Sequence, residues 1–159
     1  MKDYSVNFYS IGLSKDDSGK PDIMEMLEKW NPGSKSGPVT DSSGTPYKIK
    51  DLVVHQGVAR GVFAKYRHED LPRIGSEKSN DERDIDIDDE EGLIEKNHFI
   101  YYPKKRLIAY QASREGSHSK QMERYFTECS GRTFSFNPVL RKDSWNRLAK
   151  TGVRPKKIE

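Results

Sequence analysis

The chain has 159 residues and a formal net charge of +3, with charged and hydrophobic residues at 33% each. That length fits one domain with room for a core, and the apolar residues fall in periodic runs, which excludes wholesale disorder. A single cysteine, Cys129, excludes an intramolecular disulfide framework and a cysteine-based zinc knuckle.

Residues 4–11 alternate apolar and polar side chains with the period of a strand. A polar turn over 15–20 follows. Pro21 then suits the first turn of a helix over 21–30, with Ser18 or Asp17 near its cap. Ile23, Met26, Leu27 and Trp30 recur at i, i+3, i+4 and i+7, which gives that helix one apolar face, and Asn31-Pro32-Gly33 ends it. Residues 31–46 read as a loop. Residues 47–54 and 57–66 read as two strands joined tightly through His55-Gln56-Gly57. The stretch 67–83 is polar, with a turn at 71–75 and a loop over 76–82.

An acidic ladder over 84–91 runs through Gly92 into an apolar run over 93–102. The tip Pro103-Lys104-Lys105-Arg106 and a second apolar run over 107–112 complete the signature of a β-hairpin. Ser117 is placed to cap a helix over 118–130, whose Met122, Tyr125, Phe126 and Cys129 share one face, and Gly131 is its stop. Residues 132–140 read as a strand. Asp143 is placed to cap a last helix carrying Trp145, Leu148 and Ala149, and residues 153–159 resemble the start of a further strand. That unfinished end suggests the N-terminal piece of a longer protein. The whole 1–159 reads as one α+β domain: a mainly antiparallel β-sheet with two or three helices packed on one face. No apolar run reaches membrane-spanning length and no basic-then-apolar leader opens the chain. The expectation is a cytoplasmic protein with no membrane partner.

Charge is segregated along the chain. Residues 69–96 hold 12 acidic and 4 basic side chains, whereas residues 97–159 hold 5 acidic and 14 basic ones. Such polarity steers charged partners if it survives folding, and it vanishes if the two signs mix on the surface. Strand alternation would put Asp84, Asp86 and Asp88 on one face and Ile85 and Ile87 on the other, as at a solvent-facing edge strand. The same carboxylates could dock a basic protein partner or a second copy. A calcium loop is disfavoured because the spacing lacks its glycine and distal glutamate.

A metal-dependent nuclease would need acidic groups and a lysine converging on one metal. Glu95 and Lys96 are adjacent, so on a strand they point apart. His55, His68, His98 and His118 lack ligand spacing, His98 reading as a half-buried strand residue, and Cys129 reads as a packing thiol. No catalytic residue, metal ligand or cofactor follows from these patterns. The basic residues Lys104, Lys105 and Arg106 at the hairpin tip, with Lys120 and Arg124 on the second helix, are the candidates for phosphate contacts to nucleic acid. A merely solvated basic surface is the alternative. Tyr101, Tyr102 and Tyr110 are either stacking platforms for bases or core packing.

Asp88-Asp89-Glu90-Glu91-Gly92, the hairpin over 93–110, the helix after Ser117 and Phe136-Asn137-Pro138-Val139-Leu140 resemble the N-terminal portion of bacterial phage-defence proteins of the RexA and KwaB (Kiwa) kind. The resemblance covers roughly residues 80–159. It implies DNA as the partner, a role in blocking phage replication, and a longer parent protein. It brings no catalytic residue with it.

Overall fold

The computed structural model describes residues 4–140 apart from Asp16, Ser18, Ser43 and Glu115. The expected helix after Asp143 and the strand start over 153–159 lie outside the described residues. Among the described residues nine strands are present: β1 (Ser5–Leu13), β2 (Thr40–Ser42), β3 (Thr45–His55), β4 (Val58–Arg67), β5 (Ile74–Gly75), β6 (Glu82–Arg83), β7 (Leu93–Tyr102), β8 (Leu107–Ala112) and β9 (Phe134–Pro138). Two α-helices, α1 (Ile23–Trp30) and α2 (Ser119–Ser130), accompany them among the described residues. Seven strands form one curled sheet in the order β2-β3-β4-β7-β8-β1-β9, every neighbour antiparallel. The α+β class and the antiparallel sheet covered by helices on one face are therefore present as the sequence implied. Among the described residues no helix is long and apolar enough to cross a membrane.

The two hairpins expected from the sequence form for local reasons. Gln56 and Gly57 both adopt positive φ, 50° and 72°, the pair that a two-residue turn between right-twisted strands requires. At the β7–β8 tip, Pro103–Lys105 makes a 3-10 turn and Arg106 closes it in the left-handed region. The N-terminal strand β1 then inserts between β8 and β9, so the first and last described strands are neighbours.

Helix α1 begins two residues later than expected. Asp22, not Asp17, is the cap: its Oδ1 accepts the Glu25 N–H at 2.9 Å, and its own N–H donates to Glu25 Oε2 at 2.6 Å. Asp17 instead accepts the Thr133 N–H at 2.7 Å, tying the first turn to the entry of β9. In α2 the cap is His118, one residue later than expected; Ser117 is instead buried, its N–H donating to Asn97 Oδ1 at 2.8 Å. Gly131 ends α2 at φ 69°, as expected.

Ile23, Leu27, Met122, Tyr125 and Phe126 descend from the helices onto Ile11, Ile49, Phe63, Phe99, Ile108, Phe134 and Phe136 of the sheet. Each such fully buried large side chain contributes about 1.5–3 kcal/mol. Tyr125 also tethers the loop after α1, its hydroxyl donating to Pro38 O at 2.8 Å. Burial pushes the Tyr125 and Tyr110 hydroxyls far above the ordinary phenol range and the Cys129 thiol up to about 11. Cys129 is half-buried against the core, in keeping with a packing role.

Among the described residues Asn97 is the one large polar side chain fully inside. It donates to Gln111 O at 2.9 Å and receives the Ser117 N–H, which fixes the loop before α2 to the middle of β7. A methyl group at Gly116 would collide with the Asn97 amide, whose Nδ2 lies 2.8 Å from the ideal Cβ position. Gly116→Ala should therefore cost about 1–3 kcal/mol, read as a lower midpoint in urea unfolding. A change below about 0.5 kcal/mol would show that the Asn97 amide can swing aside.

Two expectations are corrected here. Residues 31–46 are not all loop: Thr40–Ser42 pairs with β3 as an edge strand despite having no apolar periodicity. The acidic ladder is not an edge strand. Asp84, Asp86 and Asp88 are exposed and Ile85 and Ile87 half-buried, so the two faces alternate as expected, but no strand among the described residues pairs with the segment. It leaves the two-residue β5–β6 ladder, where Arg73 bridges Glu82 and Asp84 at 3.1 Å each, and closes in a turn with Glu91 N–H on Asp88 O.

Candidate functional site

With both helices on one face, the other face of the sheet has no covering element among the described residues. Register determines what that open face presents. One row across it reads Val53, Arg60, Ile100, Ala109, Phe8; the next reads Lys50, Val62, His98, and on the far strands Gln111 and Val6; a third reads Lys48, Ala64, Lys96. Val6 and Phe8 are 49% and 44% exposed, Tyr4 64% and Ile100 37%, a contiguous apolar and aromatic surface of the kind that marks a binding face.

Charge on this face is mainly positive, although exposed Asp51 stands beside Lys50 in the β3 bulge, where the ladder is broken. At the ladder-paired outward positions of β3, β4, β7, β8 and β1, the charged side chains are Lys48, Lys50, Arg60 and Lys96. None of the four forms an ion pair with another described residue. Asp41, on the edge strand β2, is the carboxylate that the pairing brings nearest to this row, opposite Pro46. The covered side differs: Glu95 is flanked there by Lys65 at 3.1 Å and Arg67 at 3.5 Å, while its neighbour Lys96 points to the open face. The expected divergence of Glu95 and Lys96 is what the sheet shows.

A recess of about 310 Å³ opens on this face between Tyr4, Val6, His98, Ile100 and Gln111. It has a structural cause. Strands β7 and β8 pair only from Phe99–Tyr110 to Tyr102–Leu107, and beyond that point they splay. Side chains bridge the gap instead: Asn97 to Gln111 O, and the His98 N–H to Gln111 Oε1 at 3.0 Å. His98 is thus exposed at the rim, not half-buried as the sequence suggested, because its strand parity points it away from the helices.

The five basic residues singled out from the sequence separate into two groups. Lys104, Lys105 and Arg106 are exposed at the tip beside Tyr102, which borders a groove with Arg60 and Ile100 on the open face. Lys120 and Arg124 lie on α2, across the sheet. Each is engaged on its own helix, Lys120 with Glu123 at 2.9 Å and Arg124 with Glu128 at 3.1 Å. Arg124 borders Tyr47, which pairs with Lys65, whereas the tip adjoins Tyr101, which pairs with Ala59. Six residues of β4 separate those levels, roughly 20 Å at the strand rise. The tip and the helix therefore do not make one patch. Of the candidate stacking tyrosines, Tyr101 and Tyr110 are core, and burial pushes the Tyr101 hydroxyl up to about 12; Tyr102 is half-exposed on the open face.

Sequence reading missed Lys48, Lys50, Arg60 and Lys96. A signal was present for two of them: Tyr47-Lys48-Ile49-Lys50 alternates core and lysine, which assigns both lysines to the face opposite the core. Among the described residues no three His, Cys, Asp or Glu side chains gather as a metal-ligand set. Comparison of the chain with protein-family models, curated proteins and solved structures finds no match to any of the three.

Proposed function

We propose that the protein is a non-enzymatic accessory module that contacts nucleic acid through the open face of its sheet. Lys48, Lys50, Arg60 and Lys96 would supply phosphate contacts, and Lys104, Lys105 and Arg106 would extend the track at one end. The observation that carries this reading is a set of four cations, none ion-paired with another described residue, on one face of the sheet, where the nearest described carboxylates are Asp41 at the edge strand and Asp51 in the β3 bulge. Polyanion binding releases condensed counterions, so such a surface converts directly into salt-dependent affinity. The resemblance to the RexA and KwaB kind adds DNA as the ligand and phage defence in the bacterial cytoplasm as the setting. Lys120 and Arg124 take no part, because Glu123 and Glu128 already neutralise them.

The test is fluorescence anisotropy with a labelled oligonucleotide at 50 and 200 mM salt. Four phosphate contacts predict a loss of about 50- to 150-fold in affinity across that range. Affinity unchanged by salt rejects the proposal. A second reading rests on the exposed carboxylates of Asp86 and Asp88, which would dock a basic protein partner. It predicts that Asp86→Lys with Asp88→Lys abolishes capture of that partner while leaving oligonucleotide binding intact.

A further inference from the structure

The open face divides into two halves of different chemistry, and β7 is the boundary. On the β3–β4–β7 side stand the cations Lys48, Lys50, Arg60 and Lys96; on the β7–β8–β1 side stand Tyr4, Val6, Phe8, Ile100 and the recess edged by His98. Resting on the proposed nucleic-acid role, we infer that the ligand is a single strand, its backbone lying over the cationic half and its bases turned into the aromatic half.

Three physical features point this way. A single strand is itself two-sided, with a polyanionic edge and an aromatic one, and it matches the face half for half. A duplex keeps its base faces stacked inside and would meet the exposed Phe8 and Tyr4 only with sugar and phosphate, which offers those rings nothing. The face is also the wrong shape for duplex grooves. From β3 to β1 it spans four strand spacings, roughly 19 Å, whereas the major groove is about 12 Å wide and admits one helix or a two-stranded ribbon. Open sheet faces that present aromatic side chains beside basic ones suit splayed bases, each of which has a π-face irrespective of sequence. The splay of β7 from β8 makes the recess, and Gln111 and His98 place polar groups at its edge.

The experiment is competition anisotropy on the full chain, with one 12-nucleotide sequence offered as a single strand and as its duplex. Wild-type protein, Phe8→Ala and Phe8→Trp are compared. Phe8 is 44% exposed on an outward strand position, so neither change should unfold the chain, and thermal melts check this. The expected result is a preference of at least about tenfold for the single strand. Phe8→Ala should lose at least about fivefold on the single strand and nothing on the duplex, and Phe8→Trp should retain the binding. Equal binding of both ligands, untouched by Phe8→Ala, overturns the single-strand inference and leaves the phosphate reading standing. No binding of either, together with a dimer in sedimentation that Phe8→Asp dissolves, overturns both and makes the face an interface between copies.

Discussion

Phe126→Ala is expected to lower the free energy of unfolding by about 3–5 kcal/mol, a fifth or more of the total for a domain with about 5–15 kcal/mol to lose. The ring is fully buried and touches both helices and the sheet. It stacks on Trp30 of α1 with centroids 6.4 Å apart and planes 4° from parallel, meets Tyr125 edge-on at 5.7 Å, and lies 6.4 Å from both Phe134 and Phe136 of β9. Truncation would leave a cavity among four rings, two on the helices and two on β9, so collapse around it is limited. Urea titration followed by tryptophan fluorescence reads the effect directly, since Trp30 is one of the partners. Val139→Ala, at a side chain 51% exposed, should change stability by less than about 0.5 kcal/mol and serves as the control. A loss below about 1 kcal/mol for Phe126→Ala would mean that α2 is not the keystone of the covered face.

The second large effect concerns the open face. Replacing Lys48, Lys50, Arg60 and Lys96 together by alanine should reduce the slope of log affinity against log salt by about three to four units, and should remove measurable binding at 200 mM salt. All four stand outside the core and none is ion-paired with another described residue, so the variant keeps the contacts that hold the fold. The control is Lys120→Ala with Arg124→Ala, which removes two charges from the opposite side of the molecule and should leave the slope unchanged, whereas Lys50→Ala with Lys96→Ala, also two charges, should lower it by about one and a half to two units. Should the control lower the slope and the open-face variant not, α2 would be the contact surface after all.

The contrast between those two variants reflects what the sequence could disclose. The β7–β8 hairpin was readable because both runs are apolar and the tip carries proline and charge; α1 and α2 were readable because their apolar spacing is unambiguous. Caps were harder. Ser117 has the right chemistry for a helix start, but its backbone goes to Asn97, twenty residues away, and no local pattern announces that. The acidic ladder has the alternation of a strand and lacks a partner, since pairing is a property of the sheet and not of the segment. The basic site was hidden for the same reason: Lys48, Arg60 and Lys96 come onto one face only through the order β3-β4-β7, which spans the long polar excursion over 68–92. By contrast Lys120 and Arg124 are conspicuous in sequence because they share a helix face, and the same helix supplies the glutamates that neutralise them.

Amide chemical-shift mapping with an unlabelled single-stranded oligonucleotide reads the contact surface residue by residue. Shifts should gather at Val6, Phe8, Lys50, Arg60, Lys96 and His98, with Lys120 and Arg124 silent. Perturbations confined to α2 or to residues 84–91, or none at saturating oligonucleotide, would contradict an open sheet face that binds nucleic acid.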